Sequence, residues 1–163
     1  MLEAMASEPF RILLVEDEPG DARLMQLALQ RAGTTGSAGR AIDLHWVSDG
    51  REALAYLHRQ GEQFQSAVKP DLILLDLKMP GMGGLEFLGE FKSDPALSDI
   101  PVVVVTTSAL DSDIQAVRRL GIADYLQKPA DLTEFMSMIK RLGSEWFART
   151  RVAEVSSETK QGK

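Results

Sequence analysis

Acidic and basic residues stand directly after short apolar runs in this chain: residues 12–15 lead into Glu16-Asp17, residues 72–75 into Asp76, and residues 123–127 into Lys128-Pro129. Clustered carboxylates can hold a hard cation, a single carboxylate can act as an oxygen nucleophile, and a lysine can neutralise an anion. Together these are the requirements of phosphoryl transfer, which needs little beyond positioning and charge neutralisation. A further run, residues 102–105, ends at Thr106-Thr107-Ser108, where a hydroxyl could donate a hydrogen bond to a transferring oxygen. Taken singly these residues are ordinary, because acids favour helix starts and Lys-Pro favours turns. Their joint chemistry requires that the runs be parallel strands of one sheet, whose carboxyl ends form a common edge. Magnesium is the expected ion, since it combines one or two carboxylates with waters and phosphate oxygens. Without a cation, carboxylates so close together repel, and at least one should become harder to ionise.

The elements that must position these residues are legible in the apolar pattern. Phe10–Val15 is a nearly unbroken apolar run, as expected of a strand buried on both faces. Leu24, Leu27 and Ala28 recur at helical spacing over residues 21–31, and Gly33 stops that segment. A glycine-rich connection over residues 33–39 follows, then a strand at Ile42–Val47, a helix at 51–59 and a strand at 71–75. The connection lacks the Lys-Ser or Lys-Thr of a phosphate loop and precedes a strand, so it reads as a plain linker. After Asp76 comes Met79-Pro80-Gly81-Met82-Gly83-Gly84, a turn-rich loop, and then helix at 85–92, strand at 102–105, helix at Asp111–Leu120, strand at 123–126 and helix at 132–147. Strands alternating with helices predict a parallel, doubly wound α/β sheet. The expected organisation is an extension at residues 1–9, one domain at 10–148 and a polar, aperiodic, mobile tail at 149–163.

Composition narrows the function classes. With 44% hydrophobic and 26% charged residues among 163, the chain should fold as a single globular domain. A net charge of −6 and the lack of a basic stripe argue against nucleic acid as a partner. The chain has no cysteine, which excludes disulfides and thiolate chemistry. No stretch approaches the roughly 20 apolar residues of a membrane span, and the start lacks a signal-peptide pattern. A cytoplasmic protein without membrane contact is expected. His45 and His58 lack metal spacing or a nucleophile partner and read as structural or surface residues, while Met25 and Met136 read as core filler.

The ordered set Glu16-Asp17, Asp76, Met79-Pro80-Gly81, Thr106, Tyr125 and Lys128-Pro129 resembles that of bacterial response-regulator receiver domains, over about residues 10–148. The resemblance implies a flavodoxin-like sheet of strand order 2-1-3-4-5. It implies that Asp76 accepts a phosphoryl group from a phosphohistidine on a sensor histidine kinase. Asp17 and Asp76 would ligate Mg2+ directly, Glu16 through water, and the backbone carbonyl of Lys78 would complete the protein's share. Thr106 and Lys128 would contact the phosphoryl group. Thr106 would then move towards it, and Tyr125 would turn into the vacated space, reshaping the face made by the fourth helix, fifth strand and fifth helix. The Lys128–Pro129 peptide is expected to be cis.

Residues Ile100-Pro101, Val105 to Ser108, Asp113-Ile114 and Glu145-Trp146-Phe147 are similar to a subgroup of single-domain receivers that work with phytochrome-type kinases. Some members of that subgroup dimerise through the fourth-to-fifth-helix face, so a homodimer through this face is a further expectation. Trp146-Phe147 could close the core or anchor such a partner, and the sequence leaves both open. No output domain is recognised after residue 148, so a downstream protein should read the signal by contact. Several positions depart from the commonest pattern: Glu16 for Asp, Lys78 two residues after the acceptor, Thr107, and Ala130 where Phe is frequent. Lys78 is expected to reach over the phosphoryl group and alter its lifetime. A rival reading, a phosphatase with an aspartyl-phosphate intermediate, would need an acid at the Lys78 position to protonate the leaving group. The chain is therefore not expected to be an enzyme beyond its own phosphorylation and dephosphorylation. A second rival, a phosphorylation-independent interaction module, conflicts with the intact acceptor set.

Overall fold

The computed structural model describes residues 8–35 and 40–161. Most of the expected N-terminal extension and part of the glycine-rich linker lie outside them. In chain order the elements are β1 (Phe10–Val15), α1 (Pro19–Thr35), β2 (Ile42–Val47), α2 (Gly50–Leu57), β3 (Leu72–Leu75), α3 (Gly84–Lys92), β4 (Val102–Thr106), α4 (Asp111–Leu120), β5 (Asp124–Gln127) and α5 (Leu132–Gln161). The five strands form one parallel sheet of order β2-β1-β3-β4-β5, the doubly wound order expected.

The period-two alternation of the strands divides the core into two. Leu13, Val15, Ile73, Leu75, Val102 and Val104 face the cluster that includes Phe87, Phe91 and Val117 of α3 and α4. Phe10, Ile12, Leu14, Leu72, Leu74, Val103 and Val105 face Met25, Leu29, Phe135 and Ile139 of α1 and α5. Because both faces are covered, the central strands carry no polar alternation, which is why they read as unbroken apolar runs. Truncating a fully buried side chain such as Leu74 to Ala is expected to cost about 2–5 kcal/mol. Phe147 is buried, with its ring 4.9 Å from that of Phe10 in an edge-on arrangement, so it closes the core. Trp146 is half-buried beside it.

Beyond shifts of one or two residues at the ends of α2, β3, α3, β4 and β5, three differences from expectation have identifiable reasons. Helix α1 starts at Pro19, a residue suited to the first helical position, and Glu18 Oε1 accepts from the Gly20 N–H at 3.0 Å to satisfy the open turn. A 3-10 turn at Glu62–Phe64 was not anticipated; it places Phe64 against the rings of His45 and Tyr56. Helix α5 continues to Gln161 through the segment expected to be an aperiodic tail, because no Gly or Pro interrupts the chain between Ser144 and Gln161. Among the described residues no helix is long and apolar enough to cross a membrane.

Candidate functional site

The strand register assembles the acids. Val15 lies opposite both Val47 and Leu75, so the residues that follow, Glu16 and Asp76, leave the sheet side by side. The Asp76 N–H donates to Val15 O at 3.0 Å, and the Glu16 N–H donates to Val47 O at 3.1 Å. This is the crevice between β1 and β3 where the chain direction of winding reverses, the place at which open α/β sheets bind ligands. Carboxylate oxygens of Glu16, Asp17 and Asp76 lie within 4.8 Å of one another. Gly84 opens the next helix at a position where no side chain fits: a Cβ there would collide with Asp76 O and lie 2.8 Å from Leu77 Cα.

Register also delivers the lysine. Thr106 is opposite Gln127, and the Lys128 N–H donates to Thr106 O at 2.7 Å. From there the Lys128 ammonium reaches back across the sheet edge to Glu16 Oε2 at 2.6 Å, Asp21 Oδ2 at 2.9 Å and Asp76 Oδ2 at 3.2 Å. Its side chain is 6% exposed. Burial alone would lower the lysine's pKa, but the hydrogen bonds to Glu16 and Asp21 and the charges of Glu16 and Asp76 raise it instead, so the group stays cationic. Burial pushes the Glu16 carboxyl up to about 7, against the hydrogen bond from Lys128 and with the charge of Asp76 adding to the rise. The rise anticipated for crowded acids therefore falls on Glu16, the most enclosed of them.

Two residues that sequence reasoning missed hold this arrangement. Asp21, in the first turn of α1, supplies the third carboxylate to Lys128. Its signal was available, an acid four residues beyond Asp17 where a helix begins. Trp46 donates its indole N–H to Glu16 O at 2.6 Å, so β2 grips both polar groups of the Glu16 backbone. No pattern in the β2 sequence points to that contact.

On the other side of Asp76 the polar residues continue into α4. The Lys78 N–H donates to Asp76 Oδ1 at 3.2 Å, and the Lys78 ammonium lies 3.3 Å from Asp113 Oδ2. The Lys78 side chain is thus paired with the first turn of α4, which carries an acid within the lysine's span. Ser108 Oγ also donates to Asp113 Oδ2, at 2.6 Å. This hydrogen bond, with help from Lys78, holds the Asp113 carboxyl below its ordinary range. Thr106 is fully buried, and its Oγ1 accepts from the Ser108 N–H at 3.4 Å. The half-buried Tyr125 donates its hydroxyl to Ser108 O at 2.7 Å, and burial raises its pKa. Thr106 and Tyr125 therefore meet through one residue, Ser108. No peptide bond among the described residues is cis, so Lys128–Pro129 is trans, contrary to expectation. Trans is the lower-energy isomer by about 0.5–1 kcal/mol, and Lys128 reaches Asp76 from it. His45 stacks on Tyr56 and His58 pairs with Asp94, both away from the acids, as structural residues do.

Residues 12–140 match the response regulator receiver domain. The chain is 39% identical over 143 residues to response regulator Rcp1 of Synechocystis sp., covering 86% of this chain and 91% of that protein. Among solved structures it is similar to the phosphorylated cyanobacterial phytochrome response regulator RcpA, with a TM-score of 0.78, 40% identity, and coverage of 86% of this chain and 96% of that one. It is similar also to the Mn2+-bound form of Rcp1, with a TM-score of 0.77, 39% identity, and coverage of 85% and 95%. The sheet order, the acids gathered at its β1–β3 crevice and these matches agree: the chain belongs to the response-regulator receiver family.

Proposed function

We propose that this receiver accepts a phosphoryl group on Asp76 from the phosphohistidine of a sensor histidine kinase, and that the kinase is of the phytochrome type. The carrying observation is the buried Asp76 carboxylate set between two further acids and a cationic lysine at one sheet edge. An Asp76 oxygen would attack phosphorus as the phosphorus–nitrogen bond breaks, and the departing imidazole keeps the bonding electrons and takes a proton. The oxygen-only donors Glu16, Asp17 and Asp76 fit a hard divalent cation, for which Mg2+ is our choice, with the Lys78 carbonyl as an additional ligand. Bound there, such an ion would supply charge neutralisation to the phosphoryl oxygens. Lys128 carries a second positive charge to the same oxygens, and Thr106 offers a hydroxyl.

Similarity to Rcp1 and RcpA supports the phytochrome partner, and the Mn2+-bound form of Rcp1 supports the ion. Output runs by protein contact through α4, β5 and α5, by a downstream protein or a second copy of the chain, in the cytoplasm. The hydrogen bonds that join Thr106 and Tyr125 through Ser108 support that route, since a shift of Thr106 disturbs the backbone that Tyr125 grips. A small difference in affinity between two packings suffices for such a switch.

The test is incubation with Mg2+ and a small phosphodonor. The parent should take up an acid-stable, base-labile label, and Asp76→Asn should take up none. Label that persists in the variant, or that never forms in the parent, would overturn the reading.

A further inference from the structure

An ammonium group has three protons to donate, and each proton of Lys128 finds a different carboxylate: Glu16, Asp21 and Asp76. Two of these belong to the acid cluster, and Asp21 does not. A divalent cation held by Glu16, Asp17 and Asp76 would compete for two of the carboxylates that Lys128 now engages, and it would repel the ammonium. Yet Lys128 is almost wholly enclosed, and a buried ammonium without partners is strongly unfavourable. The lysine can give way only towards a carboxylate that the cation leaves alone. Asp21 is that carboxylate, on the α1 side of the site and a third exposed.

We infer that Asp21 is a positioning residue for Lys128: it draws the ammonium towards α1, so that Glu16 and Asp76 are released to a divalent cation while the lysine stays beside the acceptor. This inference rests on the metal reading above and assigns a task to a residue outside the metal-binding acids. Removing the Asp21 charge should return Lys128 to Glu16 and Asp76 as a stronger competitor for their oxygens.

Mn2+ titration calorimetry at neutral pH tests this. Asp21→Asn should weaken Mn2+ binding by about tenfold, the lower end of what loss of a residue behind metal ligands costs, and Asp21→Glu should recover most of it. In a Lys128→Met background the same Asn substitution should change affinity less than about twofold, because the coupling runs through the ammonium. An equal loss in both backgrounds would mean that Asp21 acts only as a nearby negative charge and would overturn the inference, as would unchanged affinity in Asp21→Asn. If the Lys128→Met protein does not fold, lysine side-chain NMR decides. With Mg2+ present, the Lys128 ammonium protons should exchange slowly in the parent and rapidly in Asp21→Asn, and equal protection in both proteins would overturn the inference. A parent that binds no Mn2+ would defeat the metal reading itself, and is recognised without any variant.

Discussion

Lysine–carboxylate pairs occur at both ends of this sheet at similar distances. At the amino end, Lys69 lies 3.1 Å from Asp99 with the two side chains 49% and 75% exposed, and His58 Nε2 lies 3.0 Å from Asp94. At the carboxyl end, Lys128 lies 2.6 Å from Glu16 with 6% and 1% exposed. Distance does not separate the two regions; water does. The amino-end pairs exchange one hydrated partner for another, and such pairs contribute about 0–1 kcal/mol. The carboxyl-end group has an enclosed centre, Lys128 with Glu16 and Asp76, and is unbalanced, because the partly exposed Asp17 and Asp21 add two more acids around the single buried lysine. Surplus buried negative charge opposes folding and favours cation binding, so its location marks the site.

The sharpest way to break the contrast is to remove Lys128. Lys128→Met should destabilise the protein by about 3–5 kcal/mol in denaturant melts at pH 8, because Glu16 and Asp76 lose their buried counter-charge. Divalent cation should restore much of that loss. A cost no larger than that of Lys69→Ala would erase the distinction between the two ends.

A smaller effect comes from pH. Folding raises the Glu16 pKa from 4.5 to about 7, so between these values the folded chain holds a proton that the unfolded chain has released. The contribution of Glu16 is therefore fully present below about 4.5 and declines as pH rises through about 7. Relative to Glu16→Gln, the parent should lose on the order of 2 kcal/mol of stability between pH 5 and pH 8. Parallel stability curves for the two proteins would show that burial does not govern this acid.

What the sequence disclosed follows the same division. The order of strands and helices was legible, and β1, β2 and α4 have the boundaries their patterns predict, while the other three strands are offset by one residue at one or both ends. The acids Glu16, Asp17 and Asp76 were legible as a group, because parallel strands bring their following residues together whatever the loops do. The partners of the basic residues were not. Lys128 meets Asp21 at a sequence separation of 107, and Lys78, in the loop after β3, meets Asp113 on α4. Such contacts depend on where a flexible side chain finds counter-charge in the finished fold. The helical reach of α5 to Gln161 was obscured because a polar segment with no stripe leaves no period to read.

Lys78 lies between the two extremes, its backbone bonded to Asp76 yet its side chain 57% exposed. We expect Lys78→Ala to change the rate of phosphoryl loss from Asp76, and Asp113→Asn to change it in the opposite direction by freeing the ammonium. An exposed pair of this kind corresponds to about two- to fivefold in rate. Time courses of label loss in the presence of Mg2+ measure it, and equal rates in all three proteins would sink the idea.

The smallest effect is expected at the amino end, from His58→Gln. The hydrogen bond from His58 holds the Asp94 carboxyl below its ordinary range, assisted by the Ala96 N–H, so the stabilisation from Asp94 is present above the ordinary carboxylate pKa and fades as acid protonates the group. This is the opposite sign to Glu16. The pair ties the end of α2 to the turn after α3, well apart from Asp76, and both side chains are partly hydrated. The variant should melt within about 2 °C of the parent, converge with it at high salt, and phosphorylate at the parental rate. A larger loss, or any effect on phosphorylation, would show that ion pairs at the amino end communicate with the acid cluster, and that exposure is not what separates the two ends of the sheet.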